Sequence, residues 1–203
     1  MHPNPAFRAE AQARHVAFAR DRAFGTLAVN AAQGPLLSHV PFLLNEDANA
    51  LEAHLVRSNP IVRLLRDEQP AVIAVSGPDG YVSPDWYGVA DQVPTWNYVA
   101  VHLRGTLRLL DHGEIEGVLE RQSADRERRL APKLPWHHSK MTRDAFERML
   151  RQIVPVAMEI AGIDGTWKAS QNKPDDVRLR AASAMAEQPG EAHAAMADLM
   201  RSG

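Results

Sequence analysis

The sequence predicts an α+β fold in which mainly antiparallel strands form a small closed or split β-barrel, with helices at its periphery and C-terminus. Three observations support this fold class. Apolar runs follow one another through short polar turns, which favours antiparallel neighbours over a doubly wound sheet. Helical spacing of apolar residues is confined to the start, the middle and the end of the chain. A barrel also protects the edges of its strands.

The first half of the chain is predicted to contain one helix and three strands. Apolar residues at helical spacing place the helix over residues 6–23. Strand patterns cover residues 24–30, 36–44 and 50–56. A short Gly-containing turn joins the first two strands, and this arrangement predicts a β-hairpin.

A short helix is expected after the third strand. Asn59 is a good N-cap, Pro60 suits the first helical position, and the apolar spacing ends near Gln69. Free backbone N–H groups at a helix start attract anions, phosphate above all. Arg57 and Ser58 add a charged and a neutral donor. Simple helix capping is the alternative interpretation.

The middle of the chain alternates strands with polar segments. The predicted order is a buried strand at 70–76, a turn at Gly77–Gly80, a short strand at 81–83, a loop at 85–93 and one or two strands at 95–110. In the last of these, Gly105 permits a bulge or bend.

The second half is predicted to be mainly helical, with one strand. Helices are expected at 111–128, 141–153, 175–186 and 191–201, and a strand at 154–164. We predict that residues 1–174 form the ligand-binding domain and that residues 175–203 form a C-terminal helical extension of it. Thr142 is a plausible helix cap. The basic stretch 121–133 is interpreted as a solvated face of ion pairs, with a phosphate-binding patch as the alternative.

Composition excludes several classes of protein. The 203-residue chain has no cysteine, which rules out disulfides, thiolate metal sites and a Cys nucleophile. A net charge of −2 gives no overall bias toward nucleic acid. The first residues do not resemble a signal peptide and no apolar run is long enough to span a membrane, so we expect a cytoplasmic protein.

Known catalytic motifs are also missing. The sequence contains no GxGxxG, no phosphate-binding GxxxxGK[ST] and no GxSxG motif. None of the nine histidines belongs to an HExxH motif. We therefore expect the histidines to be scattered through core and surface, not gathered in a metal or haem site.

Three segments combine aromatic and polar side chains. They are Tyr81–Tyr87, Val93–Tyr98 and Trp167–Lys173. Ring faces next to amides and hydroxyls suit a planar heterocycle with polar edges. Core packing or a solvated loop would also account for each segment taken alone.

These segments, in this order, resemble the PaiB-type family of FMN-binding proteins. The resemblance rests on Phe24–Leu27, Ser38–Pro41, His54 with Asn59-Pro60, Ser83–Tyr87, Val93–Tyr98, His102–Gly105, Lys168–Asn172 and Met196–Met200, and it extends over nearly the whole chain. The segments PTWNY and KxSQN are the most specific.

The resemblance implies an FMN-binding split β-barrel, the fold shared with pyridoxamine-phosphate oxidases and flavin reductases. It also implies a homodimer that holds FMN at the subunit interface. Some family members are described as FMN-binding negative transcriptional regulators, although the charge pattern of this chain does not support direct DNA binding. The alternative function is a flavin-dependent oxidoreductase of the NAD(P)H:flavin reductase or pyridoxamine-phosphate oxidase type, with His39 or His102 as proton donor.

The resemblance and the residue types together predict the cofactor contacts. Around the phosphate we expect His54, Arg57, Ser58 and Asn59, with Ser38 and His39 lining the same cleft. Around the isoalloxazine we expect Trp86, Tyr87, Thr95, Trp96 and Asn97. From the same or the partner subunit we expect Lys168, Ser170, Gln171 and Asn172. No catalytic residue and no metal ligand is assigned.

Overall fold

The structure, a computed structural model, describes residues 1–202 and has the predicted α+β architecture. Its strands are β1 (Phe24–Val29), β2 (Leu36–Leu44), β3 (Ala50–Val56), β4 (Gln69–Val82), β5 (Thr95–Leu109) and β6 (Ile153–Lys168). Its helices are α1 (Gln12–Arg22), α2 (Pro60–Leu64), α3 (Ile115–Arg128), α4 (Arg143–Leu150), α5 (Asp175–Ala186) and α6 (Glu191–Ser202). No helix among these residues is long and apolar enough to cross a membrane.

The six strands are hydrogen-bonded in a closed order, β1-β2-β3-β6-β5-β4, which returns to β1. The pairs β1–β2, β1–β4, β2–β3 and β3–β6 are antiparallel. In register, Thr26 of β1 lies opposite His39 of β2 on one side and Ala74 of β4 on the other. The sheet is therefore the mainly antiparallel one that the sequence predicts.

The chain divides into two compact units. The larger unit comprises residues 16–75 and 102–163, and the smaller unit comprises residues 1–15, residues 76–101 and the chain from residue 164 onward. Each unit is described separately below.

Alternating burial builds the core of the larger unit. In β1 the side chains of Leu27 and Val29 are buried, and Val40 and Phe42 of β2 and Leu51 and Leu55 of β3 continue the same interior face. Each such side chain contributes about 1.5–3 kcal/mol by leaving water. A second apolar cluster lies between α3 and α4, formed by Ile115, Phe146 and Leu150 with Leu119, Met141 and Ile153 packed against it.

Helices α5 and α6 supply the core of the smaller unit. They pack on each other through small and flexible side chains, namely Ala181, Ala182, Met185, Met196, Ala197 and Met200. The buried Arg178 donates hydrogen bonds to the carbonyl oxygen of Met200 and, at 2.9 Å, to Asp175. A cation at the C-terminal carbonyls of α6 also interacts favourably with the helix dipole.

Most predicted boundaries are confirmed. Strands β1, β2 and β3 lie where the alternation places them, and Asn59 caps α2 by accepting a hydrogen bond from the backbone N–H of Ile61 at 3.0 Å. Thr142 caps α4 in the same way, accepting from the backbone N–H of Ala145.

Three local predictions are wrong. Residues 6–11 are not α-helical, because Asn4 caps a 3₁₀ turn at Pro5–Phe7 that buries Phe7 before α1 begins at Gln12. Helix α2 ends at Leu64, well before Gln69. The segment Gly77–Gly80 is not a turn but the middle of the continuous strand β4. The fixed φ of proline is compatible with a strand at a position such as Pro78 where no N–H is needed. Neither Gly77 nor Gly80 has the positive φ that a glycine turn would use.

Candidate functional site

The predicted site residues fall into two groups. The larger unit contains Ser38, His39, His54, Arg57, Ser58 and Asn59, and the smaller unit contains Trp86, Tyr87, Thr95, Trp96, Asn97, Lys168, Ser170, Gln171 and Asn172.

In the larger unit, Asn59 joins β2 to the start of α2. Its amide nitrogen donates to the hydroxyl of Ser38 at 3.0 Å while its amide oxygen caps α2. Both ends of this side chain are therefore used in holding the strand-to-helix connection. Ser58, next to it, is exposed. A helix of five residues has only a small dipole, so capping accounts for this arrangement without a bound anion.

His39 lies on the opposite face of β2 from Ser38, because successive strand residues point to opposite sides. Ser38 belongs to the interior face of the strand, whereas the exposed His39 ring stacks against Phe24 with 6.4 Å between ring centroids. The two residues thus do not line one cleft within this unit.

His54 and Arg57 of β3 contact other partners. The Nδ1 of His54 lies 3.1 Å from the Gln122 side-chain oxygen, and burial lowers the pKa of His54, so its imidazole is neutral at pH 7. The Arg57 guanidinium donates to the carbonyl oxygens of Arg151 at 2.7 Å and Ile153 at 3.2 Å. His54, Arg57 and Asn59, which were predicted to surround a phosphate together with Ser58, therefore each contact a different set of residues.

In the smaller unit, three predicted residues meet in a buried polar cluster. Ser170 lies at its centre, with its hydroxyl 2.9 Å from the Tyr87 hydroxyl and accepting a hydrogen bond from the Asn97 amide nitrogen at 2.9 Å. All three side chains are almost completely buried. Ser170 has a φ of 60°, a left-handed conformation that non-glycine residues seldom adopt. Such strain is typical of positions fixed by function.

Among residues 1–202, none bonds to the amide oxygen of Asn97, although the residue is fully buried. Rotating the amide by 180° would only move the deficit to the nitrogen, because Ser170 is the single partner. An unpaired buried acceptor costs roughly 1–3 kcal/mol. A flavin offers hydrogen-bond donors in its ring N–H and ribityl hydroxyl groups, and because Asn97 is 0% exposed, such a donor reaches this oxygen only when the surrounding side chains move.

Lys168 and Thr95 form the polar neighbourhood of this cluster. The Lys168 ammonium donates to the Thr95 hydroxyl and lies 5.8 Å from the centre of the Phe7 ring. Partial burial lowers the pKa of Lys168, because the ammonium loses hydration. Thr95 begins β5, as predicted. Lys168 ends β6, which extends four residues beyond the strand predicted at 154–164.

The remaining predicted residues of the smaller unit have distinct environments. Trp96 is 52% exposed, and its indole N–H donates to Asp79 at 2.9 Å beside the Tyr81 ring. The Gln171 side chain accepts a hydrogen bond from the backbone N–H of Ala169 and donates to the carbonyl oxygens of Trp167 and Ala6, so it links its own segment to the N-terminal one. Trp86 is half-buried and Asn172 is exposed.

The arginines in the basic stretch of α3 form ion pairs with nearby carboxylates, as predicted. Arg121 forms a two-pronged pair with Glu52 at 2.9 and 2.8 Å, Arg128 pairs with Asp125 at 2.7 Å, and Arg129 pairs with Asp21 at 2.8 Å. All of these residues except Asp21 border a groove of about 880 Å³ in the larger unit. Exposed pairs of this kind contribute about 0–1 kcal/mol each. Their carboxylates offset the arginines, which weakens the alternative of a phosphate-binding patch.

One cluster was missed by the sequence reasoning. Glu120 of α3 meets His137 and His138, with one ligand-type atom from each lying within 4.8 Å of the others. The available signal was the adjacent histidine pair together with glutamates four residues apart, Glu116 and Glu120, on one predicted helix. The histidines of this pair are therefore gathered and not scattered.

The comparisons with known proteins define the class of the molecule. The model of the family described as "Putative FMN-binding domain" matches residues 1–162. The chain therefore belongs to that family, and FMN is its cofactor.

A relative within this class is "Protease synthase and sporulation protein PAI 2" of Bacillus subtilis. It is 26% identical over 185 residues, which cover 90% of this chain and 88% of the relative. This match confirms the resemblance to the PaiB-type family.

Two solved structures share the fold. The FAD and haem binding protein of Mycobacterium smegmatis aligns with a TM-score of 0.57 and 18% identity, covering 80% of this chain and 73% of that one. The flavocytochrome Anf3 of Azotobacter vinelandii aligns with a TM-score of 0.53 and 12% identity, covering 83% and 72%. At these identities the comparison supports the fold alone.

Proposed function

We propose that this protein binds FMN as a homodimer and acts as a flavin-dependent negative regulator of the PaiB type. The observation that carries the flavin contact is the unpaired, fully buried oxygen of Asn97 beside Ser170 and Tyr87. A ligand donor at this oxygen would remove an unfavourable feature of the unliganded protein. The bound flavin would supply the redox chemistry, and the protein would supply position and electrostatics.

The residues of the smaller unit suit the polar edges of a flavin. Tyr87, Ser170 and Asn97 form a buried set of hydroxyl and amide groups, and Lys168 adds a cation that would attract the phosphate or the electron-rich edge of the ring. Trp96 adds an exposed ring face. Six residues of the larger unit remain proposed flavin contacts, and each would be tested by a separate substitution: Ser38, His39, His54, Arg57, Ser58 and Asn59.

A partly apolar outer face in the larger unit supports the homodimer. Phe24 and Leu37 are 49% and 62% exposed, and the register places Ala28, Pro41 and Val72 on the same side, with Thr26 and the exposed His39 between the two apolar pairs. An exposed apolar patch of this kind is typical of an interface between subunits. We call it the β1–β2 outer face.

The proposal is tested by titrating FMN with the protein while flavin fluorescence is recorded. We expect saturable quenching with the wild type and at least roughly tenfold weaker binding in Asn97→Leu, because one buried hydrogen bond is lost at nearly constant volume. The matched control is Asn30→Leu, which changes an exposed asparagine just after β1. Wild-type protein that leaves the fluorescence of FMN unchanged at micromolar concentration would refute the proposal.

Two further measurements separate a regulator from an enzyme. The flavin absorbance of a regulator should persist after addition of NADH or NADPH, whereas bleaching would indicate a reductase. Fluorescence polarisation with duplex DNA at two salt concentrations tests direct DNA binding, since phosphate contacts weaken steeply with salt. If no DNA is bound, regulation would be indirect, through a partner or a metabolite.

A further inference from the structure

We propose that Glu120, His137 and His138 form a Zn²⁺ site with three protein ligands, located in the larger unit and separate from the residues proposed to contact flavin. One carboxylate and two imidazoles are a donor set that zinc prefers. The three groups come from α3 and from the segment that connects α3 to α4.

The distances between the ligand atoms suit a tetrahedral ion. The Nε2 of His138 lies 2.8 Å from the Glu120 Oε1, and the Nε2 of His137 lies 3.7 Å from the same oxygen. Zinc–ligand bonds of 2.0–2.2 Å in a tetrahedron separate neighbouring ligand atoms by about 3.3 Å. The observed separations lie on both sides of this value, so small side-chain rotations would complete the geometry.

Both histidines have a partner for their second ring nitrogen. The Nδ1 of His138 faces the Glu116 carboxylate at 3.6 Å, and the Nδ1 of His137 lies 3.1 Å from the Ser139 hydroxyl. Histidines that bind zinc usually donate their other N–H to such a group, which fixes the tautomer. His137 now also accepts from the Ser139 backbone N–H at 3.2 Å, and metal binding would replace that bond with donation to the hydroxyl.

The surroundings hold the ligands and favour a cation. His138 is half-buried and packs on Phe146 with 4.7 Å between ring centroids. Two carboxylates, Glu116 and Glu120, face the histidines, and Arg143 at 3.3 Å offsets one of them. The local charge with neutral histidines is therefore negative.

The site borders a mostly apolar cavity of about 340 Å³. Its wall includes Trp136, Met141, Phe146, Met149 and Leu150 together with the three proposed ligands. Three protein ligands leave a fourth position for water or an added ligand, as in catalytic zinc sites and unlike closed structural ones. We therefore assign this site to zinc with an exchangeable fourth ligand.

The test is calorimetric titration of metal-free, tag-free protein with ZnCl₂. We expect one Zn²⁺ per chain with micromolar or tighter affinity, and a visible spectrum typical of tetrahedral coordination when Co²⁺ is used. Glu120→Gln keeps the size and a hydrogen-bonding group while removing the charge, and it should weaken zinc binding at least tenfold. His137→Asn should have the same effect.

The matched control is His112→Asn, which removes an exposed histidine that lies outside the cluster. It should bind zinc as the wild type does. FMN affinity should be unchanged in Glu120→Gln and His137→Asn, and far-UV circular dichroism of all three variants shows independently that each is folded. Absence of saturable zinc binding by the wild type, or equal binding by Glu120→Gln, would overturn the proposal.

Discussion

His15 and His54 are both held neutral by burial. His15 accepts a hydrogen bond from the indole N–H of Trp167 at 3.0 Å, and His54 contacts Gln122. For each, loss of hydration is the largest influence and lowers the pKa; the nearby carboxylates of Glu10 and Asp164 oppose this shift for His15. Neither residue can become cationic in the folded chain as readily as in the unfolded one.

This asymmetry predicts an acid-sensitive stability. Below about pH 6.5 the unfolded chain binds more protons at these histidines than the folded chain does, so the free energy of unfolding should fall as pH decreases. Replacing His54 by Gln should reduce this slope. Denaturant unfolding of flavin-free protein from pH 8 to pH 5 measures it.

The control lies within the same experiment, because near pH 8 both histidines are neutral in both states. There the two proteins should show parallel pH dependence. Identical slopes below pH 6.5 would contradict the assignment of this effect to His54.

At the scale of elements, β5 and β6 approach each other closely at Gly105. A Cβ at this position would lie 1.8 Å from the backbone oxygen of Glu159. Backbone cannot move aside as a flexible side chain can, so the absence of a side chain is required here. The sequence predicted that Gly105 permits a bulge or bend, and the structure shows a different reason for glycine, the close backbone of Glu159.

We predict that Gly105→Ala lowers the free energy of unfolding by at least 1–3 kcal/mol, the usual range for overpacking. Gly162→Ala is the matched control, because nothing lies within 4 Å of a Cβ at that position of β6. Its effect should stay within about 0.5 kcal/mol. Equal effects of the two substitutions in denaturant titrations would refute the argument.

The periodicity of apolar residues predicted the elements in which burial and local preference agree. The buried positions of β5, including Asn97, Val99 and Val101, follow directly from alternation. The extended conformation of Gly77–Gly80 did not follow, since strand pairing overrode the local turn preference. The cluster of Glu120 and the two histidines was hidden because an irregular segment brings distant positions together, and no local pattern records that contact. Likewise, the sequence named Asn97 as a site residue but could not show that its oxygen lacks a partner.

At the scale of the whole molecule, the β1–β2 outer face bears on assembly. It places exposed Phe24 and Leu37 on the same side as Ala28, Pro41 and Val72, with Thr26 and His39 between the apolar pairs. A monomer would leave this surface in water, and a second copy of the chain would cover it.

Leu37→Lys should therefore yield a monomer, because a charged side chain would have to lose its hydration in the interface. Light scattering coupled to size-exclusion chromatography should give twice the chain mass for the wild type and the single mass for the variant. Leu134→Lys is the control, since Leu134 is 82% exposed and lies outside this face. A monomeric wild type would contradict the proposed homodimer.

The contact of Arg178 with Met200 bears on where the molecule can be shortened. The family match stops at residue 162, which suggests a minimal version ending there. The smaller unit, however, draws on residues from 164 onward, where α5 and α6 bury each other and Arg178 closes the last turn. Truncation at the family boundary would remove Ser170 together with these helices and strip Tyr87 and Asn97 of their shared hydroxyl partner. The part of the sequence that the family model matches is thus shorter than the part from which the smaller unit is built.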